Sequence, residues 1–460
     1  MIFENATIIT MDSGRRIIRD GAVAVSGSRI VGVGKKSEIQ KEFADDNERV
    51  DLQGMVVIPG LVNTHVHQAQ ALIRGCADDL GLIDWLVNRV WVLQGNYDED
   101  DGRISSELCI LEMLKSGTTA FVETMIAGRY GFDGIARVVE YSGIRAALSK
   151  IVMDLPSYVK SGAMYEGMIE DREASFKEAL DMHAKWEGGA DGRIQVWFGP
   201  RPPGGCNADL YEEMMAAANE RGMGVTIHLA EVKEDMEYIR KEFNMSPVEF
   251  VESVGMIGPR VLLIHTVWLD DKDIQRLAET GTHVTHNPVC NTKIASGIAP
   301  IPAMLAAGVN VSLGTDGGPS NNTYDMIHDM RWASYIHKVN GFDPTLTPSE
   351  VVLEMATING AKAMGLEDEI GSIEVGKRAD LVALDMNKPH LIPAPDPVST
   401  IVCAASGSDV DTVVIDGKII VRHGQVKTMD EERILREARE RAEKVYQRAG
   451  VKYGPRWPVI

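Results

Sequence analysis

The first part of the chain alternates short apolar runs with turn-forming residues. Runs rich in β-branched residues, broken by Gly, Asp and Ser, lie at residues 6–9, 21–25, 29–33 and 55–57. Residues of this kind favour strands, and the breaks between them favour turns. Helical spacing of apolar positions is confined to residues 36–43. The pattern therefore predicts a small β unit in residues 1–57.

From Gly60 onward, strand-like runs alternate with amphipathic stretches. Strand candidates occupy residues 61–64, 118–122, 144–151, 194–198, 224–228, 261–265, 283–286 and 309–314. Apolar positions at helical spacing separate them, for example at residues 103–114, 210–220, 247–254 and 271–279. This alternation favours an α/β fold with a parallel sheet, and its roughly 300 residues match the size of a TIM barrel. A doubly wound open sheet is the alternative, but it usually has a Gly-rich loop where this chain has His65-Val66-His67.

Strand character returns near the C-terminus, after a predicted helix at residues 348–364. The strands at 371–384 and 412–421 most simply rejoin the N-terminal β unit. The predicted domains are a composite β-sandwich from residues 1–57 and 366–425, a distorted (β/α)8 barrel from residues 58–365, and a helix and tail from residues 426–460. The tail ends in Trp457-Pro458-Val459-Ile460 and is predicted to pack on the chain or on a neighbouring subunit. A homo-oligomer, a dimer or higher, is therefore expected.

Composition and charge narrow the range of partners. The chain has 47 Lys and Arg against 67 Asp and Glu, a formal net charge of −20. Because phosphate binding needs clustered cations, this balance argues against nucleic acid or an anionic membrane as a partner. The 5 cysteines are widely spaced and form no CxxC pair, which is typical of a reducing compartment. With no basic leader and no long apolar run, the predicted location is cytoplasmic.

Polar residues stand at the C-terminal ends of the predicted barrel strands, where barrel active sites form. His65 and His67 are one residue apart on a strand, so both imidazoles point to the same side. His228 and His265 end the fifth and sixth strands, and Asp316 follows the eighth. Histidines combined with an aspartate suit a Zn²⁺ or Fe²⁺ ion that keeps a position for water.

Carboxylates beside such a metal can move protons. A divalent metal lowers the pKa of water towards neutrality, and a carboxylate within reach can pass the released proton to a leaving group. Glu231, three residues after His228, suits this shuttle. His265 suits polarising the attacked centre or orienting the water, and Asp316 suits both metal binding and proton acceptance. A metal-binding scaffold without catalysis is the alternative; it predicts that Glu231 or Asp316 is missing, and both are present.

These motifs resemble those of the amidohydrolase superfamily. Residues 59–67 read PGLVNTHVH, 228–231 read HLAE, 264–265 read IH and 313–317 read LGTDG. Within that superfamily the chain is similar to the amino-heterocycle deaminases. This branch includes S-adenosylhomocysteine/methylthioadenosine deaminases, guanine deaminases, and the melamine deaminase and atrazine chlorohydrolase group. The similarity covers nearly the whole chain, with further matching stretches at residues 72–75, 84–86, 296–302, 314–322 and 356–381.

The resemblance implies a mononuclear metal site and a set of proton-transfer residues. Its metal ligands are His65, His67, His228 and Asp316, and protons are handled by Glu231, His265 and Asp316. One divalent metal is implied, with Zn²⁺ first and Fe²⁺ as the alternative. Cyclic-amide hydrolases of the superfamily usually have two metals and a carboxylated lysine, and this chain has no lysine at the end of the fourth strand.

The predicted pocket residues differ from those of the nucleoside deaminases. In those enzymes an acid in the loop after strand 1 holds the ribose, and a Gly-Pro-His motif follows strand 4; here the counterparts are Gln94 and Gly199-Pro200-Arg201. Gln70 and Arg201 resemble the Gln and Arg that guanine deaminases use on the base, and Gln70 is also similar to the triazine enzymes. An amide and a guanidinium suit a planar ring with a carbonyl group and ring nitrogens.

Further candidates for substrate contact have structural alternatives. Trp85 and Trp91 could stack on a ring or simply pack in the core. Asn321 could touch substrate or cap a loop. His286 is interpreted as a satisfied strand-end residue. Five further histidines outside the predicted site are interpreted as surface residues: His183, His328, His337, His390 and His423.

The function predicted first is hydrolytic removal of an exocyclic amine from an aromatic N-heterocycle, with release of ammonia. A purine base, a pterin or an s-triazine such as melamine is the first substrate class. The alternatives are an adenosyl nucleoside, as in S-adenosylhomocysteine, methylthioadenosine or adenosine deamination, and dechlorination of a chlorotriazine such as atrazine. The expected partner is therefore a small heterocyclic molecule.

Overall fold

The structure is a computed structural model that describes residues 1–45, 48–158, 162–452, 454–455 and 457–459. Its strands are β1 (Ile2–Ile9), β2 (Ile17–Ser26), β3 (Arg29–Lys35), β4 (Arg49–Asp51), β5 (Met55–Pro59), β6 (Leu61–His67), β7 (Thr118–Ile126), β8 (Arg145–Val152), β9 (Ser157–Tyr158), β10 (Gly162–Ala163), β11 (Ile194–Pro200), β12 (Val225–Leu229), β13 (Val261–His265), β14 (His283–His286), β15 (Val311–Leu313), β16 (Asp316–Gly317), β17 (Leu381–Asp385), β18 (Val410–Ile415), β19 (Lys418–Arg422) and β20 (Gln425–Val426).

The α-helices are α1 (Lys36–Glu42), α2 (Leu82–Trp85), α3 (Trp91–Gln94), α4 (Glu99–Lys115), α5 (Phe132–Ser142), α6 (Arg172–Trp186), α7 (Gly189–Gly192), α8 (Ala208–Arg221), α9 (Lys233–Phe243), α10 (Pro247–Ser253), α11 (Asp271–Thr280), α12 (Pro288–Lys293), α13 (Ile301–Ala307), α14 (Gly318–Asn321), α15 (Met326–Gly341), α16 (Ser349–Ala356), α17 (Ile358–Ala363), α18 (Pro397–Ala404) and α19 (Glu431–Ala449).

One of the two nine-stranded sheets closes into the predicted barrel. Its order is β15-β14-β13-β12-β11-β8-β7-β6-β16, and its pairings are parallel. β15 pairs with β14, whereas β16, which begins after Gly314 and Thr315, pairs with β6. The eighth strand is therefore split, and its two halves join the two edges of the sheet. The distorted TIM barrel predicted from the sequence is confirmed.

Local sequence explains why strands and helices alternate here. β8 is buried at every position, as expected for a parallel strand covered on both faces. Helix α10 begins with Ser246, whose hydroxyl accepts from Glu249 N–H, and has Pro247 in its first turn. The side chain of Asp270 accepts from the first turn of α11, and Gly281 ends that helix in the left-handed region at φ 69°. These signals fix where each crossover helix starts and stops.

A second sheet joins the two ends of the chain. Its order is β20-β19-β18-β17-β5-β1-β2-β3, with β4 also paired to β1. β5 pairs with β1 in parallel and with β17 antiparallel, so the N-terminal and C-terminal strands share one continuous sheet. This agrees with a composite β unit, while the domain boundaries given above stay a prediction.

Two details near the C-terminus differ from the expected pattern. The predicted helix at residues 348–364 is interrupted at Thr357, whose backbone leaves the helical region, and becomes α16 and α17. In the tail, Trp457 is 84% exposed and Val459 is 82% exposed. The prediction that these two residues pack on the chain itself was therefore wrong. Their burial against a neighbouring subunit remains a prediction.

Two general expectations can be compared directly with the structure. Among the described residues, no helix combines the length and apolar character needed to span a membrane. The cysteines are Cys76, Cys109, Cys206, Cys290 and Cys403, and all are free thiols.

Candidate active site

The C-terminal ends of four barrel strands bring the predicted site residues together. His65 and His67 lie at the end of β6, and His228 lies at the end of β12. His265 is the last residue of β13, and Asp316 is the first residue of β16. Because parallel strands end at one rim of a barrel, residues distant in sequence converge there.

Buried hydrogen bonds hold the first and eighth strands against each other. Asn63 Nδ2 donates to Thr315 Oγ1 at 2.7 Å, and Asn63 Oδ1 accepts from Thr315 N–H at 3.0 Å. Gly314, which precedes Thr315, packs closely on His65: a Cβ added to Gly314 would lie 2.6 Å from His65 Cβ. Glycine at this position therefore lets the eighth strand bring Asp316 up to the His65 imidazole.

Three residues at the rim adopt left-handed backbone conformations that residues other than glycine rarely adopt. The φ angles are 53° at Ala230, 68° at His265 and 65° at Asp316. Each such conformation costs about 1–3 kcal/mol and persists only where the surroundings hold it. At Asp316, the Gly317 N–H donates to Oδ1 at 2.7 Å and helps to fix the carboxylate. Three strand ends that carry site residues are thus held in strained backbone conformations.

The ligand atoms of the predicted metal site converge on one point. His67 Nε2 lies 3.3 Å from His228 Nε2, and Asp316 Oδ1 lies 3.4 Å from His65 Nε2 and 3.6 Å from His67 Nε2. Nitrogen and oxygen ligands held at about 2.0–2.1 Å from a tetrahedral ion lie roughly 3.4 Å apart. The spacing of His65, His67 and Asp316, with His228 beside His67, therefore fits one divalent metal.

Hydrogen bonding and protonation also fit metal binding. His65 Nδ1 shares a hydrogen bond with Thr124 Oγ1 at 3.0 Å, whereas its buried Nε2 makes no hydrogen bond to any described residue. Burial, followed by the neighbouring His65 imidazole, lowers the pKa of His67 to about 3 and lowers that of His228 well below its usual range. Neutral imidazole is the form that binds metals, so the histidines are ready for a metal at neutral pH.

Glu231 and His265 form a second group beside these ligands. Glu231 Oε2 lies 3.5 Å from His265 Nε2, which lies 3.8 Å from Asp316 Oδ2. The other nitrogen of His265, Nδ1, is 2.9 Å from Asn291 Oδ1, so the imidazole is held in place. Burial, and then the nearby Asp316, raises the pKa of Glu231 well above its usual range.

Asp316 has the opposite protonation tendency. Burial would raise its pKa, but the adjacent His65, His67 and His265 imidazoles outweigh burial and hold the pKa well below its usual range. The site therefore pairs a carboxyl group whose pKa is raised, Glu231, with one whose pKa is lowered, Asp316. Two carboxyl groups whose pKa values are driven apart are suited to act as acid and base in one reaction.

A pocket with about 790 Å³ of empty space, counting its mouth, opens onto these residues. Four of the five predicted substrate contacts line it, namely Gln70, Trp85, Gln94 and Arg201. Gln70 packs against Gly317, where an added Cβ would lie 1.8 Å from Gln70 Oε1.

The fifth predicted contact, Asn321, lies outside the lining. Its Nδ2 donates to Thr315 O at 2.8 Å and to Asp329 Oδ2 at 2.9 Å, and its Oδ1 accepts from Thr323 Oγ1 at 3.1 Å. The amide is therefore used within the loop after the eighth strand. In this structure Asn321 caps the loop that positions Asp316 and does not reach the pocket.

Arg201 is a buried cation in the pocket wall. Its side chain lies over the Trp91 ring at 5.8 Å, and its Nε and Nη2 find no hydrogen-bond partner in the described chain. Its backbone is fixed, because Arg201 N–H donates to Val152 O at 3.0 Å and Arg201 O accepts from Tyr211 Oη at 2.7 Å. Burial lowers its pKa. A buried guanidinium without a partner is costly, so a ligand acceptor is the natural partner.

Several lining residues were not found from the sequence. They include the mostly apolar side chains of Met125, Tyr130, Met164 and Met168, and also Cys290 and Ser320. The position of Met125 near the end of the second barrel strand was a usable signal. By contrast, Met164 and Met168 come from an irregular connection whose hydrophobic pattern does not indicate which way it folds.

One prediction about the histidines outside the site was wrong. His337, interpreted as a surface residue, is only 2% exposed, and its Nε2 lies 3.1 Å from His286 Nε2. Burial, with a smaller effect of Lys338, lowers the pKa of His337 to about 4; burial and then His337 lower that of His286 well below its usual range. The two residues form a buried neutral pair between β14 and α15.

We expect this pair to make stability fall in mild acid. Since the folded pKa of His337 is below the unfolded value near 6.5, its contribution is complete above pH 6.5 and is lost as the pH falls towards 4. A change from pH 7 to pH 5 should remove about 2 kcal/mol through this residue. His337→Gln should show a smaller decrease in thermal midpoint over that range at one scan rate. The exposed His423→Gln is the control, and equal slopes for all three proteins would contradict the assignment.

Comparison with known proteins places this geometry in a family. Residues 56–420 match the amidohydrolase family. The chain is 40% identical over 449 residues to a 5′-deoxyadenosine deaminase of Methanosarcina acetivorans, covering 98% of this chain and 99% of that protein. It is 42% identical over 427 residues to a 5-methylthioadenosine/S-adenosylhomocysteine deaminase of Desulforudis audaxviator, covering 93% of this chain and 95% of that protein.

A solved structure extends the similarity to the fold. The crystal structure of an adenosine deaminase from Xanthomonas campestris with bound zinc matches with a TM-score of 0.91 and 30% identity. The match covers 97% of this chain and 98% of that one. Sequence and fold therefore agree over nearly the whole length.

Proposed function

The chain belongs to the amidohydrolase family, and we propose that it hydrolytically removes the exocyclic amine of a 5′-substituted adenine nucleoside. The motifs alone favoured a free purine base, a pterin or an s-triazine. The similarity to nucleoside deaminases over 98% and 93% of this chain supports the nucleoside alternative better. The observation that carries the reaction class is the pair of Glu231 and Asp316, with opposite protonation tendencies, beside the three histidines His65, His67 and His228.

The proposed metal ligands are His65, His67, His228 and Asp316. Imidazole nitrogens together with one carboxylate oxygen favour Zn²⁺, with Fe²⁺ as the alternative. When bound, the metal supplies a water molecule whose pKa is lowered towards neutrality. The protein side chains then control where protons go and how the ring is held.

The proposed proton path uses Asp316, Glu231 and His265. Asp316, which is ionised, takes a proton from the attacking water. The water oxygen at the same time forms a bond to the amine-bearing ring carbon. Glu231, which is protonated, gives its proton to the adjacent ring nitrogen. The amine leaves as ammonia with the proton from Asp316, and the proton left on the new oxygen returns to Glu231. His265 orients the water, because Asn291 fixes its ring and its Nε2 faces both acids.

The pocket wall supports an aromatic ring with a weakly polar substituent. Trp85 and Trp91 offer aromatic faces, and the Met125, Met164 and Met168 side chains in the lining offer apolar contacts for a 5′ methyl or thioether group. Gln70 and Gln94 supply amides for ring and ribose atoms. Arg201 supplies a charged donor to an acceptor atom of the substrate.

Removing the Arg201 guanidinium should weaken substrate use. A hydrogen bond to a charged group contributes about 1.5–3 kcal/mol, so Arg201→Ala should lower kcat/KM by about 10- to 100-fold, mainly through KM. Steady-state ammonia release measures this. Arg221→Ala changes an exposed arginine at the end of α8 and serves as the matched control. An unchanged KM in Arg201→Ala would remove this residue from substrate binding.

The substrate class is tested by ammonia release across a panel. The panel contains 5′-deoxyadenosine, 5′-methylthioadenosine, S-adenosylhomocysteine, adenosine, adenine, guanine, a pterin and melamine, with chloride release from a chlorotriazine measured in parallel. The proposal expects the highest kcat/KM among the 5′-substituted nucleosides. A free oxo-purine such as guanine is the second candidate, because the unpartnered Arg201 also fits a ring carbonyl. Turnover of guanine or melamine without any nucleoside would overturn the proposal.

A further inference from the structure

A thiol stands beside the proposed proton-transfer residues. Cys290, on the short helix α12, is 1% exposed and lines the pocket wall together with Glu231 and His265. One ligand atom from each of these three residues lies within 4.8 Å of the other two. The next residue on the same helix, Asn291, holds the His265 ring with Nε2 towards Glu231. Helix α12 thus supplies the thiol and also fixes a second potential ligand.

We propose that Cys290, His265 and Glu231 form a second cation site, which takes a soft divalent cation such as Cd²⁺ or excess Zn²⁺ and blocks turnover. None of these three residues is a proposed ligand of the first metal site. It provides sulfur, nitrogen and oxygen ligands, a combination that soft and borderline cations prefer and that Mg²⁺ does not. The binding part of the proposal stands on this geometry alone.

Charge and distance place limits on this second site. His265 Nε2 is 3.8 Å from Asp316 Oδ2, so a cation bound here is a close neighbour of the first metal. Repulsion between two such cations is offset by the carboxylates of Glu231 and Asp316 and by the Cys290 thiolate that binding creates as the thiol proton leaves. Binding should therefore need excess cation and be weaker than at the first site.

Blocking of turnover rests on the proposed function. A cation on this site uses the Glu231 carboxylate and His265 Nε2 as ligands, so neither can exchange protons with substrate. It also occupies pocket space next to Asp316. Inhibition should thus follow the order of thiolate affinity, with Cd²⁺ stronger than Mg²⁺.

Binding is tested by Cd²⁺ titration of the full chain with its first site loaded. The readouts are the ultraviolet absorbance that accompanies Cd²⁺–thiolate bond formation and the number of ions bound at equilibrium dialysis. The wild type and Cys403→Ser, whose half-buried thiol contacts Ser349, should show the absorbance and one additional ion. Cys290→Ser and Cys290→Ala should show neither. Equal absorbance in a folded Cys290 variant, or no additional ion in the wild type, would overturn the site.

Inhibition is measured on the best substrate of the panel, relative to the activity of each variant without added cation. Cys290→Ser should need about 10- to 100-fold more Cd²⁺ for half-inhibition, the range seen when a group supporting a metal site is lost. Equal sensitivity of Cys290→Ser and Cys403→Ser would overturn the link to turnover. If no panel compound is turned over, the proposed function fails, while the absorbance titration still decides whether the second site exists.

Discussion

Replacing Glu231 with glutamine should leave the metal bound and lower kcat by about 10²- to 10⁴-fold, the usual contribution of a positioned acid–base group. Glutamine keeps the size and hydrogen-bonding shape of the side chain but cannot transfer a proton. The Glu231 carboxyl is buried against His265 and is not among the four proposed metal ligands. Metal content by atomic absorption and kcat from ammonia release measure the two effects separately.

The matched control for this variant is Glu234→Gln. Glu234 is an exposed acid in the first turn of α9, three residues further along the same loop and helix. It should keep both metal and activity. A Glu231→Gln protein that turns over at a near-normal rate would exclude the proton-transfer role, and loss of metal from it would instead make Glu231 a ligand.

Regular patterns in the sequence were enough to predict the barrel and most of the site. A parallel strand buried on both faces reads as a continuous apolar run, and the rim of a barrel is where such runs end. Those two rules place His65, His67, His228, His265 and Asp316 at one rim. The structure brings the same five side chains together there.

The features that escaped prediction depend on long-range packing. The split of the eighth strand depends on how closely Gly314 approaches His65, which no local propensity encodes. His337 follows a helical pattern that looks exposed, yet the end of β14 places His286 against it. The sequence does not show that α12 places the Cys290 thiol near Glu231 and His265. In each case the contacting residue is distant in sequence, so the local sequence pattern does not predict the contact.

The same reasoning explains why the motifs alone ranked a free base or a triazine above a nucleoside. Gln94 and Arg201 differ from the expected nucleoside contacts, and a comparison of single positions therefore favoured a free base or a triazine. Similarity over nearly the full length to nucleoside deaminases outweighs two altered positions. Two polar contacts can be replaced by others within a pocket of this size, because an amide and a guanidinium can still bind acceptor atoms of a nucleoside.

Replacing His65 with alanine should remove both the metal and the activity. His65 is fully buried, Thr124 holds its Nδ1, and its Nε2 faces Asp316 at 3.4 Å, so water has little access to substitute for the lost imidazole. Loss of the metal removes several kcal/mol of transition-state stabilisation, which corresponds to about 10³-fold or more in kcat/KM. Metal content after dialysis and ammonia release measure the two losses.

Stability provides a readout that does not depend on turnover. A metal that binds only the folded chain stabilises it, so a strong chelator should lower the thermal midpoint of the wild type. The midpoint of His65→Ala should not respond to chelator. His283→Ala is the control, because His283 is a buried histidine at the opposite end of a barrel strand, bonded to Pro259 O and Asn310. The His283→Ala protein should be less stable because those hydrogen bonds are lost, but it should keep its metal and its response to chelator. A fully metallated His65→Ala protein would overturn the ligand set, because the remaining histidines and Asp316 would then be sufficient without it.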